Sequence, residues 1–128
     1  MQADLYYIVG MKSRKKRTKR YDPLGEFETL VLMAILRLGE QAYGMRIHVE
    51  LEEQAGRGSS YGALYTTLDR LEQKGYVSSS TGEPTPERGG RAKKYFQIKE
   101  PGEAALKQAI AATRSMARGL EPILGGGL

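Results

Sequence analysis

Cysteine is absent from this 128-residue chain. Its absence excludes a disulfide framework, cysteine-ligated zinc and thiol chemistry, and it fits a reducing cytoplasm. Histidine occurs once, at His48. The longest apolar run covers residues 30–36, far short of the roughly 20 residues that cross a bilayer. Residues 5–9 are apolar too, but positive charge follows them rather than precedes them, so they do not read as a signal peptide. No phosphate-binding loop, nucleophile elbow or paired-carboxylate motif occurs. The chain reads as a soluble, cytoplasmic protein with no membrane partner. Its length favours one domain that buries a core without metal or disulfide staples.

Acidic charge is scarce in one place only. Residues 1–20 carry seven basic side chains, from Lys12 to Arg20, against the single acid Asp4, whereas residues 21–128 hold 13 basic and 14 acidic ones, a net of −1. The overall charge of +5 is therefore a property of the N-terminal arm. Within the remainder, Arg88, Arg91, Lys93 and Lys94 cluster, and Glu50, Glu52 and Glu53 form an acidic patch. A basic arm plus a basic cluster points to a polyanion partner, to which phosphate contacts give sequence-independent attraction. A solvated tail accounts for the arm equally well. Met11 opens the basic stretch, and residues 1–10 differ from everything after them. They are either an upstream extension or a short segment that packs on something.

Four stretches have helical periodicity. Leu24, Phe27, Val31, Ala34, Ile35 and Leu38 predict a first helix, widened by Leu30, Leu32 and Met33 into one buried on more than one side. Tyr43, Ile47, Leu51 and Ala55 predict a second. Ser59 or Ser60 caps a third over residues 61–74, which buries Tyr61, Leu64, Leu68 and Leu71. Residues 76–79 suit a short strand, 81–91 a loop rich in proline and glycine, and 92–98 a second strand. Pro101 then starts a last helix that runs to about Arg118. Three helices, a hairpin with a basic, glycine-containing tip, and a closing helix describe a mainly α protein with a small β-hairpin: a winged helix-turn-helix plus a C-terminal dimerisation helix. The domain organisation expected is a basic, disordered extension at 1–22, the winged domain at 23–99, the dimerisation helix at 100–121 and a flexible tail at 122–128.

The third helix carries the functional signal. On a helical wheel centred on Leu64, the opposite arc holds Ser59, Gly62, Ala63, Thr66, Asp69, Arg70, Gln73 and Lys74, with Tyr65 and Thr67 at its margins. Small and hydroxyl-bearing residues fill the N-terminal half of that arc. A helix entering the major groove needs little bulk where backbone meets base edges. An ordinary exposed face would use more Glu and Lys. Arg70 and Lys74 are placed to reach phosphate, or Arg70 a guanine edge. In the hairpin, Arg88-Gly89-Gly90-Arg91 with Lys93 and Lys94 brings backbone and cations close to a phosphate chain.

Residues 61–77, YGALYTTLDRLEQKGYV, resemble the recognition-helix signature of PadR-like transcriptional regulators, with a Gly-x-Leu-Tyr start and a Leu-x-Arg-Leu-Glu-x-x-Gly ending. Leu30-Val31-Leu32, Tyr43-Gly44 and residues 91–96 also look like that family, and the resemblance covers residues 24–117. It implies a homodimeric winged-helix repressor that binds a near-palindromic operator on double-stranded DNA and is released by a small-molecule effector. Base-facing roles would fall on Ser59, Ser60, Tyr61, Gly62, Ala63 and Thr66, with Tyr65 and the hairpin cations on the DNA backbone. Thr67, Arg70 and Lys74 complete the expected contact set. Thr66 stands where members commonly have proline, which alters the groove surface, and residues 98–101 replace a threonine-containing link. A single C-terminal helix places the chain with the short members of the family.

That last helix carries an apolar stripe of Leu106, Ile110, Thr113, Ala117 and Leu120. So small a winged domain offers it no internal partner, and a symmetry mate would cover it. Tyr43, Phe27 and Met33 suit an aromatic pocket at the dimer interface or, equally, the core. His48 and Glu52 share a helix face, but two ligands do not hold a metal. No catalytic residue, metal or cofactor is expected. The competing readings are a winged helix that binds structured RNA and one that docks protein without sequence-specific DNA readout.

Overall fold

The computed structural model describes residues 22–82 and 92–126. Helix α1 spans Glu26–Leu38 and is followed by a 3-10 turn at Gly39–Gln41. Helices α2 (Gly44–Ala55) and α3 (Tyr61–Gln73) precede strands β1 (Val77–Thr81) and β2 (Lys94–Ile98), and helices α4 (Glu100–Ala117) and α5 (Glu121–Leu124) close the chain. The helix expected from Leu24 begins at Glu26 because Gly25 is extended, and its N–H donates to Glu28 Oε1 at 2.9 Å. That carboxylate satisfies one of the amides every helix start leaves open.

The predicted apolar stripes converge on one core. Val31, Leu32 and Ile35 meet Ile47 and Leu51 of α2, Leu64, Leu68 and Leu71 of α3, Val77 and Phe96 of the strands, and Ala105 and Leu106 of α4. Each fully buried Leu or Ile contributes on the order of 1.5–3 kcal/mol. The strands pair antiparallel from Val77↔Ile98 to Thr81↔Lys94. A bridge between Tyr43 and Tyr95 adds the segment before α2 to the other side of β2, and Phe96 N donates to Ala42 O at 2.8 Å. Tyr76 precedes the strand because its N–H donates to Leu71 O at the end of α3, although its carbonyl still accepts from Lys99 N in register with the ladder.

Three expectations need correction. Leu106, assigned to a dimer interface, is 4% exposed in the chain's own core. The first turns of α4 press onto the hairpin, since a Cβ on Gly102 would collide with the backbone of Tyr76. The winged domain therefore continues past residue 99 into α4. Second, the tail from residue 122 begins helically: Pro122 lies in the first turn of α5, where its fixed φ suits a helix start. Third, Tyr61 is 36% exposed rather than buried, because it stacks on His48 instead of entering the core.

Candidate nucleic-acid interface

Ser60 caps α3, its Oγ accepting from Ala63 N at 3.0 Å. Gly62, Ala63, Thr66, Asp69, Arg70 and Gln73 are all exposed along the helix, as are Ser60 and Tyr65, and Ser59 is half-buried. The face of small and hydroxyl side chains is therefore open to solvent at the N-terminal end of α3. The side chain of Arg70 is 51% exposed, with Nη1 3.9 Å from Glu28 Oε2.

Two residues of the expected set lie elsewhere. Thr67 is 5% exposed and faces the core beside Leu68 and Leu71. Lys74 turns inward: its Nζ donates to both Glu28 carboxylate oxygens at 3.1 Å and to Pro23 O at 3.2 Å. Glu28 and Lys74 have side chains only 8% and 19% exposed, so this pair joins α1 to the end of α3 rather than offering a cation to a ligand.

The wing approaches α3 through its basic base. Lys93 Nζ sits 4.3 Å from the Tyr43 ring centroid, and Tyr43 meets Tyr95 edge-on at 5.5 Å. Tyr43, Met45, Tyr61, Tyr65, Lys93 and Lys94 line a concavity of about 630 Å³ between α3 and the hairpin. Tyrosine hydroxyls and ammonium groups are donors suited to phosphate oxygens. Arg88, Gly89, Gly90 and Arg91 lie outside the described residues.

The fold agrees with that of known proteins. The Transcriptional regulator PadR-like family model matches residues 31–108, from α1 through the wing into α4. The chain belongs to the PadR-like family of transcriptional regulators. Its fold is that of a transcriptional regulator from Clostridium thermocellum, at 22% identity and TM-score 0.62 over 75% of this chain and 87% of that one. It is equally that of a PadR family regulator from Clostridium difficile R20291, at 21% identity and TM-score 0.61 over 77% and 99%. A Streptococcus transcriptional regulator matches at 27% identity and TM-score 0.60 over 76% and 90%. No curated protein sequence matches the chain. This PadR-like regulator is a winged-helix protein of a DNA-binding class, and no helix among its described residues is long and apolar enough to cross a membrane.

Away from α3, a groove of about 710 Å³ runs between α1 and α4 of the PadR-like chain, bounded by Leu24, Leu30, Met33, Ala109, Ile110 and Thr113. Of the residues expected at a dimer interface, Ile110 packs partly against the core, Thr113 is exposed on the groove, Ala117 is half-buried and Leu120 is 38% exposed. Phe27, Met33 and Tyr43 do not form a common pocket. Phe27 lies under the Arg57 guanidinium at 5.7 Å, Met33 lines the groove and Tyr43 sits beneath the wing. Residue periodicity missed the roles of His48 and Glu28. Glu28 was detectable as the acid three residues after Gly25, at the position that reaches back to cap a helix. His48 gave no such signal, because its partner Ser59 belongs to the turn beyond α2.

Proposed function

We propose that the chain is a homodimeric transcriptional repressor, acting in the cytoplasm, that binds an inverted-repeat operator and is released by a small-molecule effector. The observation that carries the reading is the exposed N-terminal half of α3. Ser60, Gly62, Ala63 and Thr66 form a low-relief face with hydroxyls at its edges, suited to base edges in a major groove. Ser59 and Tyr61 flank that face, and Arg70 follows within reach of a guanine or a phosphate. Tyr65, Lys93 and Lys94, with Arg88, Gly89, Gly90 and Arg91 of the hairpin, are assigned to the DNA backbone. Thr67 and Lys74 leave the contact set, one facing the core and the other bound to Glu28.

A second copy is the proposed occupant of the groove between α1 and α4. Its boundary includes the exposed Thr113, and Leu120, beyond the end of α4, is 38% exposed. Two-fold symmetry in the protein calls for two-fold symmetry in the operator, with half-sites about one helical turn apart. Release by an effector is inferred from family membership alone, and no residue is assigned to it.

Fluorescence anisotropy against salt tests the function. Affinity for labelled duplex DNA should fall steeply as salt rises, since phosphate neutralisation releases counterions. It should also differ between duplexes of equal length and unlike sequence. A protein that bound structured RNA better than any duplex would be an RNA-binding winged helix. One with no salt-dependent nucleic-acid binding would be a protein-docking module.

A further inference from the structure

His48 stands in a glutamate-rich run, yet its side chain is only 19% exposed. Its Nε2 lies 2.8 Å from the carbonyl oxygen of Ser59. A carbonyl only accepts, so Nε2 carries the proton and donates. The imidazole face stacks on the Tyr61 ring, with centroids 4.8 Å apart and planes 14° from parallel. Tyr61 in turn stacks on Tyr65 at 6.0 Å and 25°. The Tyr61 hydroxyl donates to Met45 Sδ at 2.6 Å, returning the ladder to α2. Its far end also rests on α2: any Cβ on Gly44 would overlap the Tyr65 hydroxyl.

These contacts fall where α3 most needs them. The turn at residues 56–60 contains Gly56 and Gly58, which leave its backbone many conformations. Gly56 and Arg57 are tied by their N–H groups to the end of α2, and Ser60 caps α3. Between them, the Ser59 carbonyl is held by His48. The same side chain then supports Tyr61 and, through it, Tyr65, at the first two turns of the helix. Of Gly62, Ala63 and Thr66, Gly62 is the nearest to this ladder on the wheel, Thr66 is farther round and Ala63 lies opposite, so the ladder acts on them by orienting the helix backbone they share.

We propose that His48 is a positioning residue for DNA recognition. By holding the Ser59 carbonyl and the Tyr61 ring, it fixes the orientation in which the N-terminal face of α3 is presented to base pairs. It acts through those groups and touches no base. The inference rests on the reading of α3 as the recognition helix. Sequence discrimination should therefore depend on His48, while sequence-independent attraction through Lys93, Lys94 and the N-terminal arm should not.

The experiment measures affinity for the best duplex selected by the wild-type protein and for a scrambled duplex of equal length. In His48→Ala the ratio of the two should fall about tenfold, with scrambled-duplex affinity within about twofold of wild type. His48→Gln keeps a side-chain N–H without the ring, and His48→Phe keeps the ring without the donor. Both should fold, and each should lie between wild type and His48→Ala in that ratio. The inference is overturned if the ratio is unchanged in all three variants. It is equally overturned if both affinities fall together with the thermal midpoint, which would make His48 an ordinary stabilising residue. A wild-type protein that prefers no duplex overturns the recognition reading itself, and this inference with it.

Discussion

At the residue scale, the Glu28–Lys74 pair does more for the winged domain than a single ion pair between α1 and the end of α3 suggests. One carboxylate accepts from the Gly25 amide and the Lys74 ammonium, and that ammonium also holds Pro23 O. Tyr76 Oη donates to Asp22 O nearby, so the chain between the basic arm and α1 is fixed to the end of α3. Lys74→Met leaves the half-satisfied Glu28 carboxylate buried. It should cost about 2–4 kcal/mol in denaturant unfolding without altering which duplex sequences are preferred. Gly102→Ala drives a methyl group into the backbone of Tyr76 and should destabilise by at least about 2 kcal/mol. Arg70→Ala should instead leave stability nearly unchanged, cost about 1–3 kcal/mol of specific binding and relax preference at one position per half-site. Unchanged preference would remove Arg70 from the base-reading set. Periodicity gave the direction of most α3 side chains, but not that of Lys74. Its partner is 46 residues away in sequence, and a long flexible stem can fold back from an exposed Cα to meet a buried acid.

At the scale of elements, the order of helices and strands was legible because each element obeys its own period and is punctuated by glycine or proline. Gly39 and Gly56 cap α1 and α2 with positive φ, each directly after the last turn of its helix. The beginning of α4 was harder to read. Ala105 and Leu106 belong to the core and Ala109 and Ile110 are half-buried, whereas residues 111–116 are exposed. A single amphipathic stripe does not reveal that its two halves meet different neighbours. The basic arm is read from its charge alone, and removing residues 1–20 tests its role. Binding should weaken on all duplexes alike, and the slope of log affinity against log salt should flatten by about 0.9 for each phosphate that the arm neutralises. A changed sequence preference would make the arm a minor-groove reader instead.

At the scale of the whole molecule, the proposed reading of an inverted-repeat operator calls for two chains. The groove between α1 and α4, with Met33 half-buried on its wall, is where the second chain is proposed to lie. Met33→Lys places a charge against that apolar wall and should shift sedimentation toward the monomer while the far-ultraviolet spectrum stays helical. Operator affinity should fall more than scrambled-duplex affinity, because one chain reaches only one half-site. A dimer of undiminished strength would move the interface elsewhere. The family and the winged fold were legible in the run from Tyr61 to Val77, where small exposed residues interrupt a regular core stripe. The surroundings of the α4 stripe were less so, since Leu106 and Thr113 lie on one stripe yet one is buried and the other exposed. The central claim is sequence-specific recognition by a dimer, and selection from random duplex DNA at about 150 mM salt tests it most directly, because non-specific attraction is then partly screened. Enrichment of an inverted repeat with half-sites one helical turn apart is the predicted result, and recovery of DNA with no common sequence would contradict it.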